Sequence, residues 1–148
     1  MNSTISQTVP RLNGNALYGA KTTSNLGMFR NYQSNSASNQ SIDSTSNISK
    51  WLCPIELSEG TWIVNYYINY SANANGVRTA CIGYWNGSSY SQYAWSLMQM
   101  PAGSSGEMAI RTVAAIKTTG TTTIAVGVLQ NSGTALTATT VQINARKI

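Results

Sequence analysis

The stretch Thr61-Trp62-Ile63-Val64-Asn65-Tyr66-Tyr67-Ile68-Asn69-Tyr70 decides the fold class. Trp62, Val64, Tyr66, Ile68 and Tyr70 fall at every second position, while Thr61, Asn65 and Asn69 share the other side with Ile63 and Tyr67. A period of two sends side chains alternately to the two faces of a pleated strand, so the segment reads as a strand with one face in a core. Asn73-Ala74-Asn75-Gly76 follows. Asn and Gly tolerate the positive φ that a tight hairpin requires, so the chain is expected to return as a second strand over 77–84.

The pattern continues toward the C-terminus. Asn86-Gly87-Ser88-Ser89 marks another turn, ahead of a strand expected over 91–100 in which Tyr93, Trp95 and Leu97 alternate. Residues 101–106, rich in Gly and Ser after Pro101, break that strand. A strand over 107–116 places Met108, Ile110, Ala114 and Ile116 on one face, one over 121–129 alternates Ile124, Val126 and Val128, and the last, over 137–145, turns Val141, Ile143 and Ala145 inward. These strands, each bounded by turn residues and with no helical period longer than two turns between them, predict an all-β antiparallel sandwich or barrel. With successive strands alternating in direction, the loops at 73–76, 101–106 and 130–136 gather at one end, and those at 57–60, 85–90 and 118–120 at the other.

The rest of the chain is less regular. Residues 1–56 are expected as an irregular part packed on the same single domain as the 57–148 core, with weak strands at 26–32 and 48–52 around a Ser-, Asn- and Gln-rich surface loop at 31–47. Cys53 and Cys81 sit among apolar and small neighbours and read as buried thiols rather than a disulfide pair.

Composition narrows the function. Of 148 residues only 9% are charged, the net charge is +5, and there is no histidine. Ser, Thr, Asn and Gln make up 58 of the 148 and stand where charges usually do. Without histidine the chain lacks the usual neutral-pH general base and the commonest metal ligand, so no cofactor or metal is expected. The acids are Asp43, Glu56, Glu59 and Glu107. Glu56 and Glu59 are near enough in sequence to suggest a glycosidase pair, but Glu59-Gly60 reads as a turn carrying a solvated acid, and Ser104 and Ser105 have no histidine to activate them. A non-enzyme is therefore expected. The cations are scattered, with Arg146-Lys147 the one adjacent pair, which argues against a nucleic-acid partner. No apolar run is long enough for membrane insertion, and the first ten residues lack the pattern of a secretory signal.

Two loop clusters are candidate ligand sites. Trp85, Asn86 and Tyr90 put aromatic rings around a polar turn, which suits a sugar held by stacking and by amide hydrogen bonds; equally, Trp85 and Tyr90 suit a cross-strand pair that closes the hairpin. Asn73, Asn75 and Arg78 around the Asn-Gly turn form a second candidate, although turn chemistry alone accounts for both asparagines.

The stretch Gly60-Thr61-Trp62-Ile63-Val64-Asn65-Tyr66-Tyr67, the Asn-Gly turn, the Thr-rich penultimate strand and the closing Thr139-Thr140-Val141-Gln142-Ile143-Asn144-Ala145-Arg146-Lys147-Ile148 together resemble C-terminal head domains of bacteriophage tail-fibre and receptor-binding proteins. Those heads are similar to the jelly roll of C1q and tumour necrosis factor. The resemblance implies a jelly-roll homotrimer on the virion, joined to other virion proteins, that binds a host surface polysaccharide or protein without chemistry. It also implies that the loops at 73–76, 101–106 and 130–136 form the distal tip, with Trp85 and Tyr90 near the base or in a side groove. The alternative within the same fold class is a capsid decoration, head-fibre or coat protein.

Overall fold

A computed structural model describes residues 32–101 and 108–148. Its strands are β1 (Tyr32–Ile42), β2 (Lys50–Leu57), β3 (Gly60–Tyr70), β4 (Val77–Trp85), β5 (Tyr90–Gln92), β6 (Met98–Pro101), β7 (Met108–Thr118), β8 (Thr122–Gln130) and β9 (Leu136–Lys147). They form two sheets, one in the order β1-β9-β3-β7 and the other in the order β2-β8-β4-β5, with β6 continuing the edge beside β4. From β1 to β4, and again from β7 to β9, each strand lies in the opposite sheet from the one before it, and the last strand lies beside the first. This is the jelly-roll sandwich, and the sandwich unit runs from Gln33 to Ile148.

The alternation of β3 explains why it is central. Trp62, Val64, Tyr66, Ile68 and Tyr70 are all buried, facing Ile124, Val126 and Val128 of β8 and Ala80 and Ile82 of β4 across the core. Buried phenols and indoles need polar partners, or the desolvated group costs about 1–3 kcal/mol. Each has one: the Trp62 indole donates to the Ser58 carbonyl at 2.9 Å, the Tyr66 hydroxyl to the Ala80 carbonyl at 3.0 Å, and the Tyr70 hydroxyl to the Thr79 carbonyl at 2.9 Å. The tyrosines thus tie one sheet to the backbone of the other.

The expected loops at 73–76 and 130–136 meet at one end and those at 57–60 and 118–120 at the other, while the loop at 101–106 lies almost wholly outside the described residues. Tyr70 pairs with Met108 and Ala138, and Arg78 with Gln130, so the chain turns after β3 and β8 lie together; Gly60 pairs with Thr118 at the other end. Residues 102–107 lie outside the described part, including Ser104, Ser105 and Glu107, as does the weak strand signal up to residue 31. Cys53 and Cys81 are buried free thiols.

Two expectations are corrected. Residues 32–42, expected as surface loop, form β1, an edge strand whose contribution to the core is little more than Ile42 and Ala37. Most of its side chains are exposed, so a polar sequence is what an edge strand held by backbone pairing requires. The single strand expected over 91–100 is instead β5, a 3-10 turn over Ala94–Ser96, and β6. Ser96 causes the break: its buried hydroxyl donates to the Tyr93 carbonyl at 2.7 Å and accepts the Ile82 N–H at 2.8 Å, a contact that a continuous strand would not make.

Burial sets the alkaline limit of the fold. Desolvation pushes the Cys81 thiol up from 9.0 to about 11 and raises the Tyr66 and Tyr70 phenols as well. The folded state therefore keeps protons that the unfolded chain has already released. Their stabilising effect is complete below about pH 9 and is lost as pH rises toward 11. Thermal unfolding is expected to shift to lower temperature over that window, and to shift less in Cys81→Ala. An unchanged Tm across it would refute this account.

Candidate functional site

At the end of the sandwich where β3 gives way to β4, the candidates Asn73, Asn75 and Arg78 meet, but they face one another. The Asn73 carboxamide accepts the Asn75 N–H at 2.8 Å, and Gly76 takes φ +72 where the chain turns back. Arg78 is fully buried. Its guanidinium donates to the carbonyls of Asn75 at 2.8 Å, Asn73 at 3.0 Å and Val77 at 3.3 Å. The neighbouring loop locks on through Asn131, whose side-chain oxygen accepts the Val77 N–H at 2.7 Å. These groups hold the turn and leave little for a ligand.

The second cluster is divided in its roles. Asn86 is a turn cap: its oxygen accepts the N–H groups of Ser88 at 3.0 Å and Ser89 at 2.9 Å, and its amide donates to the Ser91 hydroxyl at 3.2 Å. Trp85 and Tyr90 are directly opposite in the β4–β5 register and meet edge to face at 5.3 Å. The cross-strand pair is therefore present. Yet 45% of Trp85 is open to solvent, and Tyr90 stacks at 5.1 Å on Trp51 from β2. Gly83 and Gly127 make the bed for Trp51, since a Cβ on Gly83 would lie 2.2 Å from its ring. The result is an aromatic platform, Trp51-Tyr90-Trp85, on the outward face of the β2-β8-β4-β5 sheet.

A further aromatic, Trp95, was read in the sequence only as part of an alternating strand and not as a candidate site residue. Trp95, 57% exposed, stacks at 5.2 Å on Tyr93, which in turn meets Tyr84 at 4.9 Å. Leu97 and Met98 are exposed beside it. Strict strand alternation hid this ridge, because the 3-10 turn redirects residues 94–96. One signal was available: no charged residue occurs from Thr79 to Gly106, where most of the exposed aromatics lie.

The outward face of the β1-β9-β3-β7 sheet is different in character. Arg111 lies 4.8 Å over the ring of Tyr67, and Val113, 71% exposed, stands next to them in a shallow groove that Asn65 and Gln142 complete. Glu56 and Glu59 are both exposed, on β2 and in the turn after it. Among the described residues no cluster of three or more metal-ligating side chains occurs, and no helix is long and apolar enough to cross a membrane.

No family model matches the chain, and no curated protein matches it by sequence. Solved structures do match in fold. Eiger TNF from S. frugiperda superposes with a TM-score of 0.53 at 10% identity, covering 79% of this chain and 92% of that one. A chain of the T13 IBDV viral particle superposes with a TM-score of 0.52 at 9% identity, covering 78% of this chain and 31% of that one. At such identities the likeness is one of fold, the jelly roll.

Proposed function

We propose that the chain is a viral adhesion domain of the phage receptor-binding kind, assembled as a homotrimer on the virion, that holds a host surface saccharide or protein without chemistry. The observation that carries this reading is the run of exposed aromatics along the β4–β6 edge, Trp85 and Trp95 above all, in a surface poor in charge. Solvent-facing tryptophans backed by other rings offer rigid apolar faces for a ligand at little entropic cost. The exposed Met98 and Val113 are of the kind that subunit contacts cover, which supports a trimer. The residue types speak for binding over catalysis: the described acids are solvated, and no histidine exists. A capsid decoration or coat role is the second reading, favoured by the fold likeness to a chain of the IBDV particle.

Light scattering is expected to give three times the 15.9 kDa chain mass. The purified trimer is expected to adhere to bacterial cells, with adhesion reduced by Trp85→Ala and Trp95→Ala at unchanged Tm. A monomer that adheres to no cells would overturn the adhesion reading. A chain found all over purified particles, with no cell adhesion, would install the coat reading in its place.

A further inference from the structure

We propose that the outward face of the β2-β8-β4-β5 sheet is a track for a neutral, hydroxyl-rich saccharide chain, seated at one end in a groove between Asn47 and Gln99 and reaching the Trp85 platform at the other. This deepens the adhesion reading and rests on it. The groove has a volume of about 460 Å³, and all ten residues that line it are uncharged. Ile48, Leu97 and Leu129 give it apolar walls, and the carboxamides of Asn47, Gln92 and Gln99 stand among them. Saccharides are amphiphilic in the same way: ring C–H faces pack on apolar side chains while hydroxyls both donate and accept at the rim, as a carboxamide does.

The rim amides have capacity to spare. Among the described residues the Asn47 and Gln99 side chains make no hydrogen bond within the chain, and Gln92 receives only the Cys81 thiol, at 4.0 Å, on its oxygen. Charge decides the ligand class. A polyanion would meet no cation in this groove and a polycation no carboxylate, so burying either would go uncompensated. A neutral polyol has no such cost.

The groove and the platform lie on one face of one strand. Val77 and Thr79 line the groove, and the alternation of β4 carries the same face through Cys81 and Gly83 to Trp85. At about 3.3 Å per residue, Thr79 and Trp85 are roughly 20 Å apart along β4, a span for several sugar units. Between them Gly83 and Gly127 leave room for the edge of the Trp51 ring, on which Tyr90 stacks, so the path runs onto the aromatic platform.

The test uses the full chain on an array of short and long oligosaccharides, neutral and uronate-containing, with bacterial adhesion measured in parallel. Long neutral oligosaccharides are expected to bind. Gln99→Glu, which keeps the shape but adds a carboxylate, is expected to weaken them about tenfold. Trp85→Ala is expected to weaken long oligosaccharides and leave short ones in the groove nearly unaffected. Gln99 is exposed, so Tm is expected to be unchanged in Gln99→Glu. Preference for uronate-containing oligosaccharides, or a chain that adheres to cells but binds no neutral oligosaccharide, overturns the track and leaves adhesion standing. Absence of adhesion by the unmodified chain overturns the adhesion reading itself.

Discussion

Trp62→Ala is expected to lower the unfolding free energy by about 3–5 kcal/mol, a large part of the roughly 5–15 kcal/mol that holds a domain of this kind together. Trp62 is fully buried and the largest side chain in the core. It lies next to Ile116 of β7 and Lys147 of β9 in the sheet register, with the Lys147 ammonium 5.8 Å over its ring. The loss comes from the cavity and not from the indole hydrogen bond: the Ser58 carbonyl that accepts from Trp62 also accepts from the Thr118 hydroxyl at 2.7 Å and keeps that partner. Trp62→Phe, which refills most of the space, should therefore recover more than half of the loss. Urea titration of both variants measures this. A loss below about 1 kcal/mol in the alanine variant would mean that the site can collapse, and that the core does not depend on this ring.

That expectation was already contained in the period-two pattern of residues 61–70, and the reason is physical. A strand buried on one face and paired on both sides imposes its period on the sequence, and β3 lies between β7 and β9. The central and inner strands β4, β8 and β9 were legible for the same reason, as was the meeting of the loops at 73–76 and 130–136. The edge strand β7 buries Ile110, Ala114 and Ile116 and carries the imprint too, but the edge strands β1 and β2 carry little of it. β1 is held mostly by backbone pairing and by contacts such as the Asn35 amide to the Pro54 carbonyl at 2.9 Å, and a run of Ser and Asn satisfies both. In β2, Cys53 takes φ +55 and the register shifts between Leu52 and Ile55, a bulge that accommodates Pro54 but spoils the alternation that would have marked the whole strand.

The candidate site was legible to a lesser degree, because a sequence shows residue types and not which way they turn. Trp85 and Tyr90 were visible as aromatics around a turn, and both readings of them hold at once: they pair, and one face of Trp85 stays open. Trp51, which backs Tyr90, is separated from it in sequence by the whole of β3 and β4, and only the register of β2 with β8 and of β8 with β4 brings the rings together. Trp95 was hidden by one serine hydroxyl. Arg78 was misleading for the opposite reason: a cation in a turn region suggests a solvent-facing contact, whereas the even-numbered face of β4 points it into the core.

Arg78→Ala is accordingly expected to act on stability, with a loss of about 3 kcal/mol and no effect on ligand binding. The guanidinium is the internal partner of the carbonyls of Asn73 and Asn75, and truncation leaves both without their donor while opening a cavity beneath the turn. Working against this is the cost of burying a cation, which lowers the proton affinity of the group and leaves its Nε without a hydrogen-bond partner among the described residues. Arg78→Met separates the two effects, since it fills the space and removes the charge; it is expected to lose less than the alanine variant. Arg78→Lys keeps the charge but, as a single ammonium, cannot span the two carbonyls as the planar fork does, so it is expected to fall short of the wild type too. Amide exchange at Asn75 and Val77 should accelerate in all three variants ahead of global unfolding, because the turn opens first. A variant with wild-type Tm and wild-type exchange that has lost adhesion would reverse the assignment and make Arg78 a ligand contact.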